Sequence, residues 1–235
     1  MPSLEPVPED WTSALAVVAH PDDMEYGAAA AVARWTGQGK RITYVLVTDG
    51  EAGISAMAPA EVGPARRAEQ IAACRVVGVE DVEFLGLPDG LLEEGISLRS
   101  VLCAAIRRHR PDVVLSINFR DSWGGPSWNH ADHRAVGRSL LDAVRDAGNR
   151  WIFEGDGDPW DGVQFVAFSG SPDATHAVDV TDTFAAGVAS LSCHEVYLAN
   201  LGGEMATPDA FLREAAASVG AAFGVDLGAS FEIIR

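Results

Sequence analysis

Six apolar runs of strand length alternate along the chain with stretches of helical composition, and this alternation constrains the fold more than any other feature. The runs are residues 14–19, 42–47, 82–87, 112–117, 163–168 and 176–180. Several of them are almost continuously apolar, which is typical of strands that are covered on both faces. Alternation of strand and helix predicts parallel strands joined by helical crossovers. We therefore expect an α/β fold with a Rossmann-like, mostly parallel sheet and helices on both faces.

The stretches between the apolar runs are predicted to be helices. They cover residues 27–39, 63–78, 97–110, 131–148 and 182–198, and a last helix at 208–222 precedes an edge strand at 230–234. A chain of 235 residues is long enough for one α/β domain to bury a large core without dividing. The sequence contains no repeat, low-complexity tract or clear linker. We therefore interpret residues 1–235 as a single domain.

Composition limits the classes of partner. The chain has 34 acidic and 17 basic residues, and its net charge of −17 at pH 7 disfavours nucleic acid and anionic membranes. No apolar run approaches the roughly 18 residues needed to cross a bilayer. The three cysteines are odd in number and widely spaced, so neither a disulfide framework nor a thiolate metal site is expected. These features favour a cytoplasmic protein that acts on a small molecule.

Charged side chains follow the first predicted strand directly. The stretch "ALAVVAHPDDMEYG" (14–27) places His20, Asp22 and Asp23 just after the strand, and "WNHADH" (128–133) follows the fourth strand. In open α/β sheets, ligands bind beyond the carboxyl ends of the strands. We therefore expect the two clusters to meet at one edge of the sheet.

The two clusters contain the residue types of a catalytic metal site. His20, Asp23 and His133 could supply two imidazoles and one carboxylate, a set of three ligands that leaves one coordination position open. The remaining polar side chains would then serve proton transfer and orientation: Asp22, His130 and Asp132.

A structural interpretation of the same residues is open at this stage. Aspartates after a strand often cap the next helix, and a histidine there is often a hydrogen-bonded turn residue. However, adjacent carboxylates without a cation or a capping partner repel each other. A nucleotide-binding module is the other alternative, but the first strand is not followed by the glycine pattern that such modules carry.

The motifs "AHPDDMEYG" (19–27) and "NHADH" (129–133) resemble the LmbE/PIG-L family of metal-dependent N-deacetylases. The resemblance extends through "VTDGEAG" (47–53), through Arg66 and Glu69, through "LGLPDG" (85–90) and to His194. It implies a hydrolase that removes the acetyl group from an N-acetylated amino sugar of the N-acetylglucosaminyl type. It also implies a small-molecule substrate and, as in many family members, a homo-oligomer. A metal-binding sensor or assembly subunit without turnover is the alternative.

The resemblance implies a role for each matching residue. The ligands of Zn²⁺, or of Fe²⁺ in its place, would be His20, Asp23 and His133. Asp22 would be the general base. His130 would steady the oxyanion or protonate the leaving amine, with Asp132 as its partner.

The resemblance also implies a substrate-binding region and shows one departure. Arg66 and Asp89 fall where the family contacts the sugar, although Arg66 could equally be a solvated helix residue and Asp89 an ordinary turn residue before Gly90. Trp128 stands where some members carry a tyrosine near the oxyanion, and an indole cannot act as a phenolic acid. The departure therefore concerns substrate fit more than reaction type.

Overall fold

The computed structural model describes residues 4–235, and across that range eight strands form one sheet. The strands are Glu5–Pro6 (β1), Ser13–Val18 (β2), Arg41–Thr48 (β3), Asp81–Leu87 (β4), Val113–Ile117 (β5), Phe165–Ser169 (β6), His176–Asp179 (β7) and Gly228–Ile234 (β8). Their order in the sheet is β1-β7-β8-β6-β5-β2-β3-β4. The five strands from β6 to β4 in this order pair in parallel, which confirms the predicted fold class.

The helices fill the connections between the strands. They are Asp23–Gly27 (α1), Ala29–Gly37 (α2), Pro59–Val76 (α3), Ile96–His109 (α4), Ala131–Ala147 (α5), Phe184–Ser192 (α6), Glu195–Asn200 (α7) and Pro208–Phe223 (α8), with a 3₁₀ turn at Glu204–Ala206. The helix predicted at 27–39 is thus preceded by a short helix, and the one predicted at 182–198 is divided in two. Within residues 4–235, none of the helices has the length and apolar character required to cross a membrane.

Strand β8 lies inside the sheet, so its prediction as an edge strand was wrong. It pairs antiparallel with both β6 and β7. Its central Glu232 is 5% exposed, and the carboxylate accepts hydrogen bonds from the Arg120 guanidinium and from the Ser171 hydroxyl at 2.6 Å. A glutamate within a strand suggests solvent exposure, and only these tertiary partners make its burial favourable.

Both faces of the sheet are covered, as predicted. Along β2, Ala14, Ala16 and Val18 belong to one hydrophobic core, whereas Leu15 and Val17 belong to a second core on the opposite face. This alternation follows from the period of two in a strand. Side chains of α2 and α3 contribute to the first core, and those of α4 and α5 to the second.

The strand order places a crevice beside β2. Strand β2 has β3 on one side and β5 on the other, so the order of the strands reverses at this point. Such a switch point opens a crevice outside the carboxyl ends of the strands. His20 is the second residue after β2, and the loop after β5 leads to His130, which directly precedes α5. The fold therefore brings the two predicted clusters to one crevice.

Helix α5 approaches the loop after β5 closely at Gly137. A Cβ atom at this position would lie 2.2 Å from the Cβ of Phe119, which is buried and whose ring centroid is 4.4 Å from that of Phe168. Gly137→Ala is expected to lower the free energy of unfolding by about 1–3 kcal/mol, because the added methyl group has no room. Gly37→Ala is the matched helical control, since a Cβ there meets nothing within 4 Å. Denaturant unfolding measures both free energies. If Gly137→Ala is as stable as Gly37→Ala, the close approach of α5 to Phe119 does not require a glycine.

Candidate active site

The two sequence clusters meet in the crevice beside β2. The Nδ1 atom of His20 lies 3.1 Å from Nε2 of His133, and the same Nε2 lies 3.0 Å from Oδ1 of Asp23. Asp23 Oδ2 is 3.7 Å from His20 Nδ1 and also accepts the His20 backbone N–H at 2.9 Å. All three side chains are largely buried. The three residues of the predicted ligand set are thus brought together from the segment after β2, from α1 and from α5.

Hydrogen bonds assign the protons of both imidazoles. His133 Nδ1 lies 2.8 Å from the side-chain oxygen of Asn129, so we assign a proton to Nδ1 and a lone pair to Nε2. His20 Nε2 lies 3.0 Å from Asp89 and 3.2 Å from Asp132, two acceptors that place its proton on Nε2 and a lone pair on Nδ1. The two lone pairs therefore face each other. The opposite nitrogens face two carboxylates at His20 and an amide oxygen at His133, acceptors of the kind that orient metal-bound histidines in other proteins.

This donor set fits a cation. The two nitrogens are 3.1 Å apart, and Asp23 places Oδ1 3.0 Å from one and Oδ2 3.7 Å from the other, so the three groups repel one another unless a positive charge lies between them. Ligands about 2.0–2.1 Å from a tetrahedral zinc ion are separated by roughly 3.3 Å. Without a cation, a proton on one of the two nitrogens relieves the same repulsion. Burial lowers the pKa of His20, but Asp23 and the neighbouring carboxylates raise that pKa well above its ordinary value.

His130 lies beside this set and can be distinguished from it. The ring nitrogens of His20, His130 and His133 also lie within 4.8 Å of one another, so three imidazoles are an alternative ligand set. Asp23 is the other candidate for the third donor, because it is buried against both other histidines and supplies negative charge. His130 instead caps α5, and its Nδ1 accepts the backbone N–H of Asp132 at 3.2 Å.

The charge state of His130 follows from these contacts. Burial, together with the nearby imidazoles of His20 and His133, lowers the pKa of His130. Acceptance of a hydrogen bond by Nδ1 places the single ring proton of the neutral form on Nε2. His130 therefore offers a neutral N–H donor. The carboxylate of Asp132, which the resemblance assigned to His130, contacts His20 instead and accepts the Gly90 N–H at 2.8 Å.

Asp22 stands at the first position before α1 but does not cap it. In the part of the chain that the structure describes, its side chain makes no capping hydrogen bond, and its backbone is left-handed at φ 83°. Its Oδ2 atom lies 3.1 Å from Nη2 of Arg66 instead. Burial raises the pKa of Asp22 to about 7, although Arg66 opposes this. The capping interpretation from the sequence therefore does not apply to this carboxylate.

Arg66 and Asp89 both lie at the crevice. Arg66 is 3% exposed, donates to the carbonyl oxygens of Pro21 at 2.6 Å and Gly50 at 3.2 Å, and stacks on the Tyr197 ring at 4.1 Å. Asp89 Oδ2 accepts the Ala52 N–H at 2.8 Å, while Oδ1 faces the His20 ring. Neither is a solvated side chain or an ordinary turn residue. Their first contacts are with the central cluster, and sugar contact stays a prediction.

The sequence did not single out a polar layer that lies beneath the cluster. Gln70 and Glu25 are buried and bonded to each other, with Gln70 Nε2 donating to Glu25 Oε1 at 3.0 Å. Burial raises the pKa of Glu25 to about 8 and lowers that of His194 to about 3. His194 was expected inside one helix beside Cys193, but both residues lie where α6 ends and α7 begins. Asn129 was also missed, although it directly precedes His130 in the second motif.

A cavity of about 1300 Å³ opens from the cluster. This volume exceeds the roughly 300–1,000 Å³ that is typical of pockets for drug-sized ligands. Its aromatic lining consists of Tyr26, Trp123, Trp128, Tyr197 and Phe211. Trp128 is 86% exposed, and Trp123 packs edge-on against the His133 ring at 5.9 Å. Apolar ring faces therefore surround the polar centre.

The contact between Asp132 and His20 predicts an effect on metal affinity. Asp132→Asn is expected to weaken zinc binding about 10- to 100-fold, because the weaker acceptor no longer fixes the His20 ring and its proton. The amide keeps only one of the two oxygens with which Asp132 accepts backbone hydrogen bonds, Oδ2 from Gly90 and Oδ1 from Leu92, so the loop at Gly90 is weakened as well. Chelator competition measures the affinity, with Asp142→Asn on the exposed side of α5 as the matched control. If Asp132→Asn binds zinc as tightly as Asp142→Asn, Asp132 does not orient the His20 ring for the metal.

The fold is shared with N,N'-diacetylchitobiose deacetylase from Pyrococcus horikoshii, with a TM-score of 0.86 at 24% identity over 96% of this chain and 85% of that chain. Diacetylchitobiose deacetylase from Thermococcus kodakarensis is 28% identical over 192 residues, which are 79% of this chain and 70% of that protein.

A second relative is aligned over a shorter part of its length. The 1D-myo-inositol 2-acetamido-2-deoxy-alpha-D-glucopyranoside deacetylase of Acidothermus cellulolyticus is 30% identical over 161 residues. The match covers 57% of this chain and 54% of that protein, so the chain spans about half of it. The sequence pattern of the family described as PIG-L: GlcNAc-PI de-N-acetylase matches residues 15–144, more than half of the chain. The protein therefore belongs to the PIG-L family, as its two motifs predicted.

Proposed function

We propose that the protein is a metal-dependent N-deacetylase that hydrolyses the acetamide of an N-acetylated amino sugar or a related conjugate. One observation carries this proposal. His20 Nδ1 and His133 Nε2 face each other at 3.1 Å with Asp23 beside them, and the nearby carboxylate of Asp22 does not cap α1. Both relatives are named as deacetylases of acetylated amino sugars, which supports the reaction and the substrate class.

The proposed metal is Zn²⁺, with Fe²⁺ as the alternative, since two imidazoles and one carboxylate suit both ions. His20, Asp23 and His133 would hold it. When bound, such a cation polarises a carbonyl group and lowers the pKa of a water molecule. Asp89, Asp132 and Asn129 keep the imidazole lone pairs directed at the ion by accepting the opposite ring protons.

Asp22 would carry the proton. Its carboxylate is buried, is oriented by Arg66 and makes no capping bond, so it is free to accept a proton from the attacking water. A base whose pKa burial raises to about 7 is matched to proton transfer near neutral pH. As the C–N bond breaks, the same proton would pass from Asp22 to the leaving nitrogen, which departs as a neutral amine. The products are acetate and a free amino sugar.

His130 would stabilise the oxyanion. The resemblance left two roles open for this residue, oxyanion stabilisation or protonation of the leaving amine. A neutral ring with its proton on Nε2 can donate a hydrogen bond to the developing oxyanion but has no second proton to transfer. The geometry therefore supports the first role. Removing one such donor typically costs about 10²- to 10³-fold in rate.

The cavity supports a glycoside rather than a single small ring. Its volume of about 1300 Å³ leaves space beyond the amino sugar, and aromatic walls suit the apolar faces of sugars. Trp128 lies at the mouth, where its indole can pack against the group attached to the sugar.

The experiment is a measurement of acetate release. Zinc-loaded protein is incubated with free N-acetylglucosamine, with its disaccharides and with its alkyl and inositol glycosides, and at least one glycoside is expected to yield one acetate per amine formed. Chelator-treated protein is the control and should be inactive. A loaded protein that releases no acetate from any member of the panel would instead be a metal-binding protein without turnover.

Three further expectations stay predictions. A cytoplasmic location is supported by three free cysteines, of which Cys74 and Cys103 are buried. A homo-oligomer is expected from the family resemblance. Nucleic acid and anionic membranes are expected not to bind at physiological salt, because the net charge of −17 repels phosphate groups.

A further inference from the structure

The backbone of Asp22 adopts a conformation that is rare for a residue with a side chain. Its φ of 83° and ψ of −16° lie in the left-handed region. A residue before a helix usually has an extended backbone, and its side chain accepts a hydrogen bond from the helix. Asp22 has neither property. A left-handed aspartate persists only where its surroundings hold it in place, and such residues cluster at functional sites.

One buried side chain holds this backbone. The N–H of Asp22 donates to Oε1 of Gln70 at 2.9 Å, and Gln70 is 0% exposed on helix α3. Because no water reaches Gln70, this amide oxygen is the acceptor that the buried Asp22 N–H requires.

A second buried residue fixes the orientation of the Gln70 amide. Gln70 Nε2 donates to Glu25 Oε1 at 3.0 Å and to the Cys74 sulfur at 3.3 Å. The opposite orientation would place an NH₂ group against the Asp22 N–H and an oxygen against the Glu25 carboxylate. Glu25 is 2% exposed and belongs to α1, the helix that Asp22 precedes. The hydrogen bonds thus run from Asp22 through Gln70 and return to the same helix.

We propose that Gln70 is a positioning residue that, oriented by Glu25, holds the left-handed backbone of Asp22 and so directs the Asp22 carboxylate into the cavity. This inference rests on the proposed function, in which Asp22 is the base. The alternative is a buried glutamine that contributes only to stability. The two differ because positioning changes kcat at constant metal content and constant KM, whereas a stability role changes the folded fraction.

The test exchanges the two partners. Gln70→Glu keeps the size of the side chain but, in assays above pH 8, where Glu25 with its burial-raised pKa of about 8 is ionised, it places a second carboxylate against that of Glu25 and so disrupts the hydrogen bond between them. It is expected to lower kcat about 10- to 100-fold, the scale of a small displacement of a catalytic group. Adding Glu25→Gln restores a donor opposite the new acceptor, and this double variant is expected to recover most of kcat. Metal content and KM are expected to match those of the wild type throughout.

Hydrogen exchange of the Asp22 amide provides a measurement that needs no substrate. Gln70→Met removes the acceptor at similar volume, and the Asp22 amide is expected to exchange faster while amides of β2 keep their protection. If the Asp22 amide stays as protected as in the wild type, or if Gln70→Glu keeps full kcat, the inference is overturned. A double variant no more active than Gln70→Glu overturns it as well. If the wild type releases no acetate from any substrate, the proposed function fails. The hydrogen exchange of the Asp22 amide would still decide whether Gln70 holds the Asp22 backbone.

Discussion

Asp22→Asn is expected to fold and to bind zinc like the wild type, while kcat falls about 10²- to 10⁴-fold, the usual contribution of a general base. An amide oxygen cannot take the proton of the attacking water. The amide has the same shape and still lies beside the Arg66 guanidinium, whose Nη2 is 3.1 Å from Asp22 Oδ2, so the local structure should be retained. The proposed ligands do not include this side chain. A loss in kcat without a change in KM would show that the interaction acts in the transition state.

Asp49→Asn is the matched control for this variant. Asp49 lies one residue beyond β3 and pairs with Arg67 at 3.1 Å on the surface, so its loss should leave kcat unchanged. Near wild-type turnover of Asp22→Asn at full metal occupancy would remove Asp22 as the base. Its burial and its left-handed backbone would then require a purely structural explanation.

The pH profile of the wild type gives the same assignment a second test. A general base must be ionised, so kcat/KM is expected to fall as the pH decreases through the pKa of Asp22. Burial raises that pKa to about 7 in the metal-free protein. A bound cation favours the carboxylate and lowers it, so the acidic limb should lie below pH 7. If ionisation of Asp22 causes this acidic limb, the residual kcat/KM of Asp22→Asn will not fall as the pH decreases through the same range.

The sequence predicted the central cluster because strand ends are local features. His20 and Asp23 follow a continuously apolar run, and parallel strands place their carboxyl ends at one edge, so His133 could be brought to them without knowledge of any contact. The positions of the helices followed from composition in the same way. The sequence could therefore predict the fold class and bring together the named residues of the proposed ligand set.

The remaining part of the site depends on contacts between distant segments. The carboxylate of Asp132 contacts His20 and not His130, a choice that the spacing within "NHADH" does not encode. Gln70, which accepts a hydrogen bond from the Asp22 N–H, lies 48 residues away from it along the chain. The burial of Glu232 inside the sheet likewise depends on Arg120. In each case a polar residue is buried against a partner that only the folded chain supplies.

His133→Ala is expected to lose most of the bound zinc and, with it, all measurable acetate release. A site with three protein ligands cannot lose one without a large loss of affinity. Asp23→Ala is expected to behave alike, because the carboxylate supplies the negative charge of the set. Elemental analysis after dialysis measures metal per chain, with His176→Ala on β7 as the control for removal of a histidine.

Thermal unfolding with and without chelator extends this test. A metal that binds the folded state raises the unfolding temperature of the wild type, so the chelator should lower it. His133→Ala should no longer respond to the chelator, whereas His176→Ala should respond like the wild type.

His130→Ala then separates the two ligand sets that the geometry allows. If Asp23 is the third ligand, His130→Ala should keep about one zinc per chain and lose activity only through the missing oxyanion donor, by about 10²- to 10³-fold. If the three imidazoles hold the metal, His130→Ala should lose zinc and Asp23→Ala should keep it. Stoichiometric zinc in both Asp23→Ala and His133→Ala would contradict the proposed set. The metal would then have to lie on the other side of the His20 ring, where Asp89 and Asp132 face Nε2.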